Sequence, residues 1–162
     1  MKKFWIQIIT LTLLIFASFY LYHDPSILLS FLPNKAPLTQ TQINIGSAFV
    51  KVEVADTPQE RAKGLGDKES IASDSGMLFV FPESKKYKFW MKGIKFPLDF
   101  IFINNGKVVD LLKNVPKPTP DQKDADLPLL QPIADVDMVL EVNAGFIDSK
   151  NIRVGNDVVI IK

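Results

Sequence analysis

From Gln42 onward the chain alternates hydrophobic and polar residues with a period of two, the spacing of half-buried β-strands. Ile43 and Ile45 alternate with Gln42 and Asn44, then Val50, Val52 and Val54 alternate with Lys51 and Glu53. Gly46-Ser47 between the two runs marks a turn or bulge, so two short strands are predicted. Met77 to Phe81 is apolar throughout, as expected of a strand buried on both faces, and Gly76 opens it. Pro82-Glu83-Ser84 predicts a turn. Beyond it Tyr87, Phe89 and Met91 share one face of a further strand, with Lys88, Trp90 and Lys92 on the other. Pro97 to Ile103 and Lys107 to Leu112 flank Asn105-Gly106, the strongest short-range hairpin signal. Val136, Met138, Leu140 and Val142 mark another alternating strand, and Val158 to Ile161 a last one.

Two short helices interrupt the strands. Thr57-Pro58-Gln59-Glu60 places a capping-box threonine at the N-cap, proline at the first helical position and glutamate at the third. Gly64 or Gly66 ends this helix. Asn143 is expected to cap a second helix over AGFIDSKN. Residues 116–132 hold five prolines and predict a long loop. The predicted fold is α+β and mainly antiparallel, a curled or barrel-like sheet with two short helices, preceded by one transmembrane helix.

That preceding helix rests on residues 4–22, which contain no charge and are long enough to cross a hydrocarbon layer of about 30 Å. A cleaved signal peptide is the rival reading, but its apolar region is usually about 7–15 residues, and Tyr20, Leu21 and Tyr22 stand where small residues would precede cleavage. Lys2 and Lys3 predict a cytoplasmic N-terminus and an extracytoplasmic domain, with the chain held in the cytoplasmic membrane. The organisation expected is therefore an anchor and juxtamembrane stalk over 1–32, a linker over 33–41, and a β-rich domain over 42–162.

Of 19 basic and 18 acidic residues, Lys2, Lys3 and Asp24 belong to the anchor and stalk, which leaves 17 of each sign beyond residue 32. A neutral domain offers no general attraction to nucleic acid. The absence of cysteine excludes disulfides, thiol nucleophiles and Cys-ligated metals. The only histidine, His23, lies at the expected membrane edge, so a histidine triad or a multi-histidine zinc site is not available. No cofactor and no metal centre is implied.

The hairpin offers one catalytic possibility. With a two-residue turn, Ile101 pairs with Asp110 and Asp99 with Leu112, so Asp99 and Asp110 become diagonal neighbours about 7–8 Å apart on one face. Such a pair could serve acid–base chemistry or hold a hard cation. A one-residue shift would put them on opposite faces, each merely solvated or locally bonded. Trp90 beside Lys88 and Lys92 could stack on a sugar or aromatic ligand while the lysines hold an anion, or could be core beneath the proline-rich loop. Glu53 and Arg61 suit a salt bridge that docks the first helix. Asn114 suits a turn bond.

The segments VEVADTPQERAKGL, GMLFVFP, FWMK, PLDFIFI, GKVVDLLKNV and LEVNAGF, in this order over residues 43–161, resemble the DUF192 family of uncharacterised bacterial and archaeal domains. The resemblance implies a compact β-rich domain, often exported or tethered, with no known activity. Glu53, Arg61, Gly64, Met77, Phe81, Trp90, Met91, Lys92, Pro97, Asp99 and Asn114 match the family pattern. The chain departs from it at Gly64-Leu65-Gly66-Asp67-Lys68, at Gly93-Ile94 and in lacking cysteine.

The leading expectation is a membrane-anchored binding or accessory domain of the cell envelope. Its small polar-aromatic pocket would involve Trp90, Lys92, Asp99, Glu53, Arg61 and Asn114, with the 116–132 loop over it. Its partners would be the membrane, through residues 4–22, and a small molecule, sugar or protein of the envelope, but not nucleic acid. A hydrolase or lyase using Asp99 and Asp110, assisted by a divalent cation, is one alternative. A structural or protein-interaction module is the other.

Overall fold

The computed structural model describes residues 38–161 together with Lys3, Trp5 and residues 10–12. His23, the stalk and most of the expected membrane span lie outside the described residues. Among the described residues no helix is long and apolar enough to cross a membrane.

The alternating runs form seven strands: β1 (Gln40–Ile45), β2 (Ala48–Ala55), β3 (Ser75–Lys85), β4 (Leu98–Asn104), β5 (Lys107–Val115), β6 (Val136–Asn143) and β7 (Val158–Ile161). They make one sheet in the order β5-β4-β6-β3-β2-β1-β7. Every neighbouring pair is antiparallel except β2 and β3, which run parallel. The two edges approach each other at one end. There Val108 N–H donates to Asn156 O (2.9 Å), Gly155 N–H to Val108 O (2.8 Å) and Val158 N–H to Gly106 O (2.8 Å). The sheet is thereby curled into a partly closed barrel.

Two cores follow from the alternation. One face collects Ile43, Val52, Leu78, Ile101, Val108, Leu140 and Val158, at least one residue from each strand, and the sheet curls over it. The opposite face of β3, β4 and β6 carries a second core of Met77, Phe79, Phe100, Phe102 and Val139, covered by Leu65, Phe89, Met91 and Phe96 from the connections. The sheet's centre thus has no solvent face, which is why Met77 to Phe81 of β3 and Phe100 to Ile103 of β4 are apolar at every position. Gly76 permits the closest approach within it, because a Cβ there would lie 2.5 Å from Glu141 O on β6.

Helix α1 (Pro58–Lys63) has the predicted capping box: Glu60 N–H donates to Thr57 Oγ1 (3.2 Å) and Thr57 N–H to the Glu60 carboxylate (3.2 Å). Gly64, at φ +49°, terminates it. Helix α2 (Phe146–Ser149) differs from expectation, since its N-cap is Gly145 and no side chain of its own caps it. Asn143 instead donates to Ile71 O and Ala72 O. The α2 terminus is met from β4, where Asp99 accepts from Ile147 N–H (2.9 Å).

Three local predictions are corrected. Pro82 to Ser84 makes no turn; β3 continues through it, and a register jump from Val80↔Met138 to Lys85↔Val136 absorbs the proline's missing N–H. The strand expected around Tyr87 to Met91 is reduced to a single bridge between Phe89 and Leu130, because its only pairing partner is the 116–132 loop. In the β4–β5 hairpin Asn105 (φ +49°) and Gly106 (φ +70°) form the two-residue turn, and Asn104 pairs with Lys107 as read. A bulge then pairs Phe102 with Asp110 and Ile101 with Leu111.

Candidate functional site

That bulge separates the two aspartates. Asp99 lies on the face of Ile101 and Ile103, whereas Asp110, opposite Phe102, lies on the other. Asp99 is fully buried and accepts from Asn114 N–H (2.7 Å) and Ile147 N–H (2.9 Å), so it ties β5 and α2 to β4. Asn114 participates through its backbone, at φ +53°, where a second irregularity in the β5 ladder turns its N–H toward Asp99. Asp110 accepts from Leu111 N–H (2.8 Å) and Ile133 N–H (2.9 Å). The two carboxylates share no pocket, and the pair on which the hydrolase or lyase expectation stood is not formed. Among the described residues no group of three or more His, Asp or Glu side chains is placed to hold a metal ion.

Glu53 and Arg61 are also apart. Glu53 pairs with Lys68 (2.8 Å) beside an open groove of about 860 Å³. Arg61 does dock α1, but through carbonyls: its guanidinium donates to Asp56 O and to Val80 O (2.8 Å) and lies 5.3 Å from the centre of the Phe81 ring. Two carbonyls, one on β3 and one just past β2, serve the planar guanidinium as well as a carboxylate would, and among the described residues no ion pair compensates its charge.

A group of residues does converge on the second face of the sheet. In the ladder, Glu141 of β6 stands between Met77 of β3 and Phe100 of β4. Among the described residues it is one of two buried acidic residues, with 5% of its surface exposed, and its Oε2 accepts no hydrogen bond. Removal from water disfavours the ionised form and pushes its carboxyl up from 4.5 to about 8. At neutral pH it is therefore mostly a neutral acid, able to donate its O–H.

Glu141 opens on a cavity of about 140 Å³. Leu65, Phe79, Phe81 and Phe89 form its apolar wall. Phe89 is the hub of this wall, set edge-on at 6.0–6.1 Å to Phe79, Phe81, Phe100 and Phe102. Its backbone exchanges two 2.8 Å hydrogen bonds with Leu130, which fixes the neighbouring Trp90 at the mouth. Trp90 is half exposed rather than covered by the loop. Lys92 lies 5.3 Å from its ring centre and pairs with Asp124 (2.6 Å), which ties the 116–132 loop to the same rim.

Trp90, Lys92 and Arg61 are thus brought to one cavity, while Glu53, Asp99 and Asn114 are not. The sequence reading missed Glu141. Its signal was a lone carboxylate inside the apolar run Val139-Leu140-Glu141-Val142, but alternation assigned it to solvent because the second core was not foreseen. The large groove at Glu53 contains no comparable group, since its carboxylate is already paired.

The fold recurs in solved structures. A protein from Sinorhizobium meliloti 1021, provisionally called a transcription regulator, is similar at 26% identity with a TM-score of 0.70, over 78% of this chain and 98% of that one. A protein of unknown function from Novosphingobium aromaticivorans DSM 12444 is similar at 25% identity with a TM-score of 0.68, over 78% and 94%. No functionally curated protein matches the sequence. The family profile that does match, over residues 40–160, is DUF192, described as an uncharacterized ACR. Its span takes in both helices and every strand described above but for the last residue of β7, and the chain belongs to the DUF192 family.

Proposed function

We propose that the domain is a small-molecule-binding module of the cell envelope, held at the cytoplasmic membrane by residues 4–22, with its ligand in the cavity between Glu141 and Trp90. The observation that carries this reading is Glu141, buried in an aromatic-walled cavity with an oxygen that no protein group satisfies. Leaving a buried polar group unpaired costs about 1–3 kcal/mol. Retaining such a group at the floor of a cavity is reasonable when a ligand satisfies it. The cavity is close to the roughly 150 Å³ that admits a benzene-sized molecule. The balanced charge of the domain gives no support to a nucleic-acid partner of the kind suggested by the label of the S. meliloti protein.

The test uses the full-length protein with Trp5→Phe, so that Trp90 is the only tryptophan. Its fluorescence and thermal midpoint are followed across a panel of small amines, carboxylates, alcohols, sugars and nucleotides. A ligand that shifts both, and loses its effect in Glu141→Leu, supports the reading. Silence across the panel refutes it.

A further inference from the structure

The charge around the cavity narrows the ligand class, on the premise that the cavity is a binding site. Four cationic side chains line it, Arg61, Lys63, Lys88 and Lys92, against one carboxyl, Glu141. Lys63 is neutralised by Asp67 (2.9 Å) and Lys92 by Asp124 (2.6 Å). Among the described residues Arg61 hydrogen-bonds only to carbonyls and Lys88 has no acidic partner. Two positive charges therefore remain uncompensated.

We propose that the ligand is a small apolar monocarboxylate, its body against Phe79, Phe81 and Phe89 and its carboxylate accepting the Glu141 O–H within reach of Arg61 and Lys88. Three features favour an anion. A neutral acid cannot repel a carboxylate and forms with it a charge-assisted O–H···O⁻ bond, about twice as strong as a neutral one. A sphere of this volume is only about 6 Å across, so an anion inside it feels the rim cations with little screening. An ammonium ligand would instead meet those cations, and two of the aromatic rings it could use already face Arg61 and Lys92.

The groups that set the protonation of Glu141 are few. Its ladder neighbours Met77 and Phe100 carry no charge, and Glu53, one strand beyond Met77, is engaged by Lys68. Facing it across the cavity are Arg61 and Lys63 from α1, and Tyr87, Lys88 and Lys92 from the covering segment. Ionisation of Glu141 at alkaline pH would place two negative charges in one small cavity and expel the ligand.

The experiment compares three probes of similar shape, benzoate, benzylamine and benzyl alcohol, by calorimetry on the full-length protein at pH 6.5 and 9.5. Benzoate is expected to bind at pH 6.5 at least tenfold more tightly than the other two, and to weaken at least tenfold by pH 9.5. Glu141→Gln, which keeps a donor but cannot ionise, retains benzoate and loses the pH dependence. Lys88→Glu, on the exposed rim, weakens it several-fold without lowering the thermal midpoint. Tighter binding of benzylamine or benzyl alcohol overturns the carboxylate class while leaving the cavity a binding site. Benzoate binding that persists unchanged in Glu141→Leu overturns the proposed geometry. If no probe binds but an amine, alcohol, sugar or nucleotide of the panel does so in a Glu141-dependent way, the carboxylate class fails alone; if nothing on the panel binds, both readings fail.

Discussion

Glu141 makes the stability of this protein fall as pH rises through the neutral range. Its carboxyl is held near 8 in the folded chain against 4.5 when unfolded, so between these values the folded state binds one proton that the unfolded state releases. Each pH unit in this window then lowers the unfolding free energy by about 1.4 kcal/mol. The loss is about 2.5 kcal/mol between pH 5 and 7 and on the order of 5 kcal/mol across the whole window, an upper bound. That is a large part of a typical domain's 5–15 kcal/mol. The sign is opposite to that of Asp67, Asp74 and Glu83, whose carboxyls are held down by hydrogen bonds to Lys63, Lys51 and Lys85. Their contribution is present above the unfolded values and lost on acidification. Urea unfolding of the wild type and Glu141→Gln at unit steps from pH 5 to 9 isolates the effect, because the exposed carboxylates are common to both and cancel. The Gln variant is expected to gain on the wild type with each step up to about pH 8 and to be the more stable protein at pH 9. A difference that stays constant from pH 5 to 9, within about 0.5 kcal/mol, would refute the view that this carboxyl is buried and protonated.

Three further outcomes follow from contacts already described. Asp99→Ala leaves the buried N–H of Ile147 and the part-buried N–H of Asn114 without their acceptor and should cost about 2–5 kcal/mol in urea unfolding. Asp110→Ala should cost only about 1 kcal/mol, since the exposed Ile133 can turn its N–H to water. Equal and small effects of the two would contradict the structural role of Asp99. Gly76→Ala forces a Cβ to within 2.5 Å of Glu141 O and 2.9 Å of Val142 Cγ1, and should lower stability by about 1–3 kcal/mol or abolish soluble expression, read by thermal melting and yield. Trp90→Ala should change the unfolding free energy by less than about 1 kcal/mol, because the ring is half exposed, while removing the fluorescence response to ligand.

The strands, the capped first helix and the Asn-Gly turn were legible because each rests on local chemistry: side-chain alternation, a cap, or a residue pair suited to positive φ. Bulges were not, since their position depends on cross-strand packing rather than on the bulged residues. One extra residue at Val109 was enough to move Asp110 to the other face and dissolve the inferred carboxylate pair. Arg61 was expected to dock the helix through a salt bridge with Glu53, but its partners are carbonyls, which every residue carries and no pattern announces. Trp90 and Lys92 were readable as neighbours because an aromatic among lysines breaks the expected polarity of a strand. Glu141 broke the opposite expectation, and only the covering segment from Tyr87 to Phe96 reveals that its side of β6 is buried.

The closure of the sheet at one end bears on how the domain opens. Three backbone bonds between 106–108 and 155–158, with the Lys107–Asp157 ion pair, join β5 to the approach of β7 across a sequence separation of about 50 residues. Releasing them breaks no strand ladder, so this clasp can part at a free energy well below that of global unfolding. Amides of Val108 and Val158 should therefore exchange with solvent ahead of Leu140, which lies mid-sheet on β6 and is freed only when the whole ladder dissolves.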